Sequence, residues 1–246
     1  MTYQLVAALL AFGLAGPSPR DGRDVVRAMH DRYAGRWYAQ LSFIQHNTAT
    51  DTAGRETHSI WREYMAVPGK LRIDFLPADS GGGILFRGDS EYVFAHDTLA
   101  RALPFVHPLM VLGFDVYVEP AETTLAKLQR LGFDLSVVHE DRWEGRPVYV
   151  VGAAAGDARR LQFWVDRERL VFVRMLQPGR RDTTRVAETR FEDYRSAGPA
   201  WVSARVDFLQ DGRPVWREEY VDIRTDVPLD PALFDPRRFR SERPGS

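Results

Sequence analysis

The stretch Lys70-Leu71-Arg72-Ile73-Asp74-Phe75 alternates charged and apolar side chains without a break. Because side chains of a β-strand point to opposite faces in turn, this spacing predicts a strand with Leu71, Ile73 and Phe75 on one face and the charged residues on the other. Such a strand is typical of an antiparallel sheet with one dry face and one wet face. The stretch therefore predicts a sheet that covers a core on one side.

Further strand patterns lie on both sides of this stretch. Residues 41–49 and 58–66 precede it, and residues 84–86 and 91–95 follow it, joined by the hairpin signal Arg87-Gly88-Asp89-Ser90. More strand patterns fill residues 135–224, separated by short spacers rich in Gly, Pro and Asp. Spacers this short favour hairpins over crossover helices, so the sheet is predicted to be antiparallel.

Helical patterns occur in three places. Val25, Met29 and Tyr33 recur at fourfold spacing within residues 21–36, which predicts an amphipathic helix. Residues 120–131 predict another helix. The segment between the two halves of the strand pattern, residues 103–118, is apolar nearly all round and carries two prolines and a glycine. We expect that segment to be buried or to cover something apolar.

These patterns predict an α+β fold. It is a single strongly curved antiparallel sheet, an incomplete β-barrel of about eleven strands, with helices covering its concave face. We expect residues 21–240 to form this one half-barrel domain and residues 241–246 to form a disordered tail.

The N-terminus predicts export. Residues 5–15 are apolar apart from Gly13, and eleven residues are too few to span a bilayer, which needs about 20. This is the length of the apolar region of a signal peptide, and Gly13-Leu14-Ala15 fits a cleavage site. The first four residues lack the usual Lys or Arg, which leaves an uncleaved apolar arm or another start site as alternatives. We expect residues 1–20 to be a signal peptide, cleaved near residues 15–20, and the protein to be periplasmic or otherwise exported.

Composition narrows the function. The 33 basic and 34 acidic side chains give a net charge of −1, so no basic footprint for nucleic acid exists. The absence of cysteine excludes disulfides, thiolate catalysis and cysteine-rich zinc sites. The six histidines show no metal-binding spacing, so we expect neither metal nor cofactor.

No catalytic set emerges from the sequence. Gly88-Asp89-Ser90 matches the Gly-Asp-Ser block of one esterase family, but it fills a tight turn between two strand patterns and is interpreted as a hairpin turn. The glycine run at residues 80–83 lacks the Lys-Ser/Thr of a phosphate loop. We therefore expect a protein that is not an enzyme.

Aromatic residues are frequent on the predicted strands, and a sheet this wide has more apolar concave surface than two or three helices can fill. An apolar cavity is the expected result. The side chains predicted to form the cavity and its lid are Phe43, Trp61, Leu71, Ile73, Phe75, Tyr92, Phe94, Phe105, Leu109, Met110, Leu112, Phe114, Phe163 and Phe172.

Three loose motifs in fixed order carry a family resemblance. They are Pro68-Gly69-Lys70-Leu71-Arg72-Ile73-Asp74, the hairpin of residues 86–94, and the closing phrase of residues 221–235. Over residues 21–239 the chain resembles the LolA/LolB-like periplasmic lipoprotein-carrier superfamily. The resemblance implies a half-barrel whose mid-chain lid, here residues 103–131, covers a cavity for acyl chains. It also implies a monomer that binds a lipid or an acylated protein, with contacts to envelope proteins or to a membrane surface.

One departure from that superfamily affects the functional expectation. The lipoprotein carriers have an arginine, used in gating the lid, just before the proline at the entry to the third strand, and Val67 stands there in this sequence. We therefore expect a relative of these carriers and not a true lipoprotein-sorting chaperone. Two alternatives stay open: an envelope sensor or protein-interaction domain whose groove is filled by its own side chains, and a lipid hydrolase.

Overall fold

The structure, a computed structural model, describes residues 18–179 and 182–240. Most of the expected signal peptide and the whole expected tail, residues 241–246, lie outside the described residues. The helices and strands follow in the order α1 (Gly22–Tyr33), β1 (Gln40–Thr50), β2 (Glu56–Ala66), β3 (Lys70–Phe75), β4 (Gly83–Arg87), β5 (Ser90–Ala95), β6 (Thr98–Pro104), α2 (Pro108–Gly113), α3 (Ala121–Arg130), β7 (Val138–Trp143), β8 (Arg146–Val151), β9 (Gln162–Asp166), β10 (Phe172–Pro178), β11 (Val186–Ala197), β12 (Ala200–Gln210) and β13 (Arg213–Thr225).

All thirteen strands belong to one antiparallel sheet in the order β6-β5-β4-β3-β2-β1-β13-β12-β11-β10-β9-β8-β7. Strand β13 returns to pair with β1 at the middle of the sheet, while β6 and β7 form its two edges. The sheet is therefore open, and with its helices it forms the predicted α+β half-barrel. The strand count is thirteen where about eleven were expected.

The first helix begins where its sequence indicates. The Asp21 carboxylate accepts hydrogen bonds from the backbone N–H groups of Arg23 (2.9 Å) and Asp24 (3.1 Å), which caps the helix. Val25 and Met29 are fully buried against the concave face of the sheet. The helix α3 lies within the predicted residues 120–131 and contacts α1.

The mid-chain apolar segment, residues 103–118, forms the end of a strand as well as a buried helical part. Its first two residues, Leu103 and Pro104, end the edge strand β6, which the sequence did not predict. The rest forms α2 and a 3-10 turn at Asp115–Tyr117, both buried, as expected for this segment. We call residues 105–118 the lid segment.

Part of the outer face of the sheet, over β2 to β5, is buried where the sequence predicted a face open to water, although Lys70 is exposed as expected. A C-terminal segment, residues 229–239, packs two 3-10 turns (Pro231–Phe234 and Pro236–Arg238) and the ring of Phe239 against β2 to β5. Under this segment Arg72 is 0% exposed and Asp74 is 9% exposed. The Arg72 guanidinium donates to Asp74 (3.0 Å) and to the Phe239 carbonyl (2.9 Å), so its burial is compensated by hydrogen bonds.

No helix within residues 18–179 and 182–240 is long and apolar enough to cross a membrane.

Candidate functional site

A cavity of about 560 Å³ lies between the concave face of the sheet and the lid segment. Helices α1 and α3 fill the concave face over β8 to β10, where Val25, Leu128 and Phe163 are fully buried. The remaining concave face, on β1 to β4 and β10 to β13, is left uncovered and lines the cavity. The expectation that the helices cannot fill so wide a sheet thus agrees with this geometry. The volume falls within the range of small-molecule sites, about 300–1,000 Å³.

The structure brings together eight of the side chains predicted to line the cavity. They are Phe43, Trp61, Leu71, Ile73, Phe105, Leu109, Met110 and Phe114. Four other predicted residues belong to the core next to it: Phe75 packs on Trp61 (ring centroids 5.0 Å apart), and Leu112, Phe163 and Phe172 are fully buried. Whether any of these side chains binds a ligand stays a prediction.

The structure places Tyr92 and Phe94 on the opposite, outer face of the sheet. The two-residue turn at Gly88 pairs Phe86 with Glu91 and Leu85 with Tyr92, so that Glu91 faces the cavity instead. Phe94 stacks on Phe239 of the C-terminal segment, with ring centroids 3.9 Å apart. Both faces of β5 are apolar enough to be covered, and the alternation alone could not select the inner one.

Sequence analysis missed a second set of lining residues. The apolar members include Met65, Phe86, Met175, Phe191, Val206, Phe208 and Tyr220. The polar members include Gln45, Glu63, Thr189 and Glu218. A signal for the polar members was present, because Gln45, Glu63 and Glu218 each lie two residues from an aromatic side chain on the same strand face.

The lid segment contributes Leu109, Met110 and Phe114 to the cavity and is held at its C-terminal end. The Tyr117 hydroxyl accepts a hydrogen bond from the Phe172 backbone N–H (2.9 Å), and its ring stacks on Trp37 with centroids 3.9 Å apart. The cavity is therefore closed on this side by a segment anchored to both the sheet and the chain following α1.

His107 lies at the start of the lid segment with its ring edge-on to Phe86 (centroids 5.0 Å apart). Its Nδ1 is buried and has no hydrogen-bond partner among the described residues. Burial lowers the pKa of His107 to about 4. This side chain is therefore neutral at pH 7 and brings no positive charge to the cavity.

Glu218 on β13 is held by hydrogen bonds from two aromatic neighbours. Trp216 donates its Nε1–H to Oε1 (3.0 Å) and Tyr220 donates its hydroxyl to Oε2 (2.8 Å). Burial raises the pKa of Glu218 to about 7, and these hydrogen bonds oppose the rise. The nearby arginines pair with other carboxylates: Arg217 with Asp207 (2.6 Å) and Arg190 with Glu188 (2.6 Å).

Glu63 on β2 faces the same cavity and is 4% exposed. Across the sheet it lies beside Phe43 and Ile73. Burial, together with the charge of Glu218, raises the pKa of Glu63 well above its usual range. Its burial therefore favours the protonated form of Glu63.

The described residues hold no group of three or more His, Asp or Glu side chains that could bind a metal ion.

The sequence matches no protein-family model and no curated protein. Solved structures are similar in fold. A domain from Vibrio parahaemolyticus, described provisionally as an outer membrane lipoprotein-sorting protein, superposes with a TM-score of 0.61 at 12% identity over 88% of this chain and 97% of that one. A DUF1329 family protein from Desulfovibrio piger gives 0.58 at 15% identity over 87% and 95% of the two chains.

A LolA superfamily protein from Nitrosomonas europaea superposes with a TM-score of 0.55 at 12% identity, covering 87% of this chain and 97% of that one. The likeness extends over nearly the whole of each of these three solved chains, so the half-barrel corresponds to their complete fold. The chain has a LolA-like fold, which is the fold that the resemblance of its motifs implies.

Proposed function

We propose that this protein is a non-enzymatic carrier of the cell envelope that holds the acyl chains of a lipid, or of a lipidated protein, in its cavity. The observation that carries the proposal is the cavity of about 560 Å³ under the lid segment, with mostly apolar side chains along its walls. The proposal takes the signal peptide expected at residues 1–20 as the route to the periplasm.

The lining suits chains of varied length and saturation. Three methionines, Met65, Met110 and Met175, line the cavity, and their flexible thioethers adapt to irregular apolar ligands. Transfer of a chain from water would contribute roughly 25 cal/mol per Å² of buried apolar surface, before the cost of ordering the ligand. Affinity for acyl chains would therefore arise without a covalent bond.

Entry and release would use two parts of the wall. Val215, at the start of β13, lines the cavity and is 40% exposed, which marks a mouth at the ends of β11, β12 and β13. The lid segment closes the other side, and its Leu109, Met110 and Phe114 would have to move to free a bulky ligand. Exchange of ligand is thus expected to depend on the contacts that anchor this segment.

Binding of Nile red, an uncharged apolar fluorophore, tests the proposal. Ala187 is half-buried at the mouth and pairs with Gln177 and Gln210. Ala187→Trp places a large ring in the mouth and is expected to weaken Nile red binding at least about tenfold. The control Val221→Trp lies on an exposed face of β13 and should leave the affinity unchanged.

The two alternatives predict other outcomes. A sensor or interaction domain that binds no lipid would leave Nile red fluorescence unchanged in wild type and in both variants. A lipid hydrolase would turn over an ester substrate and lose that turnover through a single Ser, His or Asp substitution. Either result would refute the proposed carrier function.

A further inference from the structure

The charged residues of the cavity are all of one sign. Among the described lining residues there is no lysine or arginine, and His107 is neutral. Four glutamates line the cavity: Glu63, Glu91, Glu188 and Glu218. A cavity made for the carboxylate of a free fatty acid would carry the opposite charge.

Two of these glutamates are neutralised by the protein itself. Glu91 pairs with Arg101 (3.3 Å), and Glu188 accepts hydrogen bonds from Arg174 (2.6 Å) and Arg190 (2.6 Å). Because arginines compensate their negative charge, Glu91 and Glu188 do not require a positively charged group on the ligand.

Glu63 and Glu218 differ from Glu91 and Glu188 in their hydrogen-bond and ion-pair partners. No basic side chain in residues 18–179 and 182–240 pairs with either of them, and Glu218 receives hydrogen bonds only from neutral donors. Glu63 receives no hydrogen bond from any described residue, although it is 4% exposed. A mostly buried carboxyl group that faces a cavity and has no partner within the protein points to a partner that enters the cavity.

We infer that the ligand is an amphiphile with an amine, whose apolar chain lies under the lid segment and whose protonated amine binds Glu63, with Glu218 on the same cavity wall. This inference rests on the proposed function and names the head group of its ligand. An ammonium group offers three N–H donors, and the Glu63 oxygens are acceptors without a donor among the described residues. Charge-assisted hydrogen bonds in a low-dielectric cavity would favour this head group over a neutral one.

Binding would have a proton signature. Burial raises the pKa of Glu63, and an ammonium ion beside its carboxylate would lower that pKa, so binding of the amine would favour release of a proton to the buffer. An alcohol of the same chain length brings no charge that could lower the pKa. Calorimetry of the amine in buffers of different ionisation enthalpy should therefore show proton release, and calorimetry of the alcohol should show none.

The test compares decylamine, 1-decanol and decanoate as competitors of Nile red at pH 7. Decylamine is expected to bind about tenfold more tightly than decanol, and decanoate more weakly than decanol. Glu63→Gln, which is close in shape to the protonated acid, should remove the preference for decylamine over decanol and the proton release. Glu56→Gln, at an exposed site on the same strand, is the matched control and should retain both.

The outcomes separate this inference from the proposed function. Equal binding of decylamine and decanol, tighter binding of decanoate, or a Glu63→Gln protein that keeps the amine preference would overturn the amine inference while the cavity still binds chains. Failure of all three competitors and of Nile red would instead remove the carrier function itself.

Discussion

The carboxylate of Asp115, in the lid segment, accepts a 2.9 Å hydrogen bond from the backbone N–H of Gly69 in the turn between β2 and β3. Asp115 is 2% exposed, and Lys127 Nζ lies 3.8 Å from its other oxygen. The same turn carries Val67, where the lipoprotein carriers have their gating arginine. In this chain the contact between turn and lid is made by a lid carboxylate and a backbone amide.

Asp115→Ala is expected to loosen the lid segment. The substitution leaves the Gly69 N–H unpaired and removes a partner of Lys127, at a cost of about 1–3 kcal/mol in the free energy of unfolding. Nile red should also exchange faster. Denaturant unfolding and stopped-flow release of the probe measure the two effects. The control Asp89→Ala removes an exposed ion pair to Arg130 of α3 (2.8 Å) and should change neither by much.

Tyr117→Phe tests the second anchor of the lid segment. The substitution keeps the stacking on Trp37 and removes only the hydroxyl that accepts from the Phe172 N–H, which would be left buried and unpaired. We expect a loss of about 1–3 kcal/mol in the free energy of unfolding. Tyr149→Phe is the control, since the Tyr149 hydroxyl makes no hydrogen bond to any described residue. Equal stability losses in the two variants would contradict this role of Tyr117.

Stability is expected to fall as the pH rises from 5 to 8. Burial raises the pKa of Glu218 from 4.5 to about 7 and the pKa of Asp115 from 3.8 to about 6, so the native state holds protons that the unfolded state releases. The stabilisation that these bound protons give the native state is complete below the pKa values of the unfolded state. It is lost as the pH rises through the pKa values of the native state. For Glu218 it amounts to about 3 kcal/mol at most, at roughly 1.4 kcal/mol per pKa unit.

Glu218→Gln isolates that effect. A glutamine keeps an oxygen acceptor for Trp216 or Tyr220 but does not titrate, so the unfolding free energy should decline less between pH 5 and pH 8 than in wild type. Glu219→Gln, exposed on the opposite face of the same strand, serves as the matched control and should follow the wild-type profile. Parallel pH profiles for all three proteins would show that Glu218 does not titrate in this range.

The sequence predicts the fold well because most of the sheet has one apolar face. The alternation in residues 70–75 is read correctly for the inner face, and the order of elements leads to the half-barrel. Strand β6 escaped prediction because it is an edge strand whose residues 98–102 are all exposed, so no apolar period marks it.

The site could be predicted only in its apolar part. Tyr92 and Phe94 were assigned to the inner face because the sequence gives no sign that the C-terminal segment covers the outer one. Glu63 and Glu218 resemble ordinary surface residues of a strand, and their burial depends on strand pairing across distant parts of the chain. Long-range pairing of this kind is not encoded in a local pattern.

Arg72 links the outer face of the sheet to the C-terminal segment, and its loss is expected to be severe. Its guanidinium is 0% exposed, donates to the carbonyls of Leu233 (3.3 Å) and Phe239 (2.9 Å), and lies 4.3 Å from the centre of the Phe239 ring. Arg72→Ala leaves these carbonyls and Asp74 buried without this partner, which should lower the free energy of unfolding by about 3–5 kcal/mol.

Arg72→Ala is also expected to act locally on the C-terminal segment, which distinguishes its effect from a general loss of stability. Without Arg72 the C-terminal segment should detach before the sheet unfolds, since Leu233, Phe234 and Phe239 pack in a small cluster separate from the main core. Limited proteolysis should then cut within residues 229–239 under conditions where the rest of the chain resists. Arg55→Ala, which removes an exposed ion pair to Asp51 (2.8 Å), should leave both the cleavage pattern and the stability close to wild type. Uniform cleavage along the Arg72→Ala chain would mean that the segment and the sheet unfold as one unit.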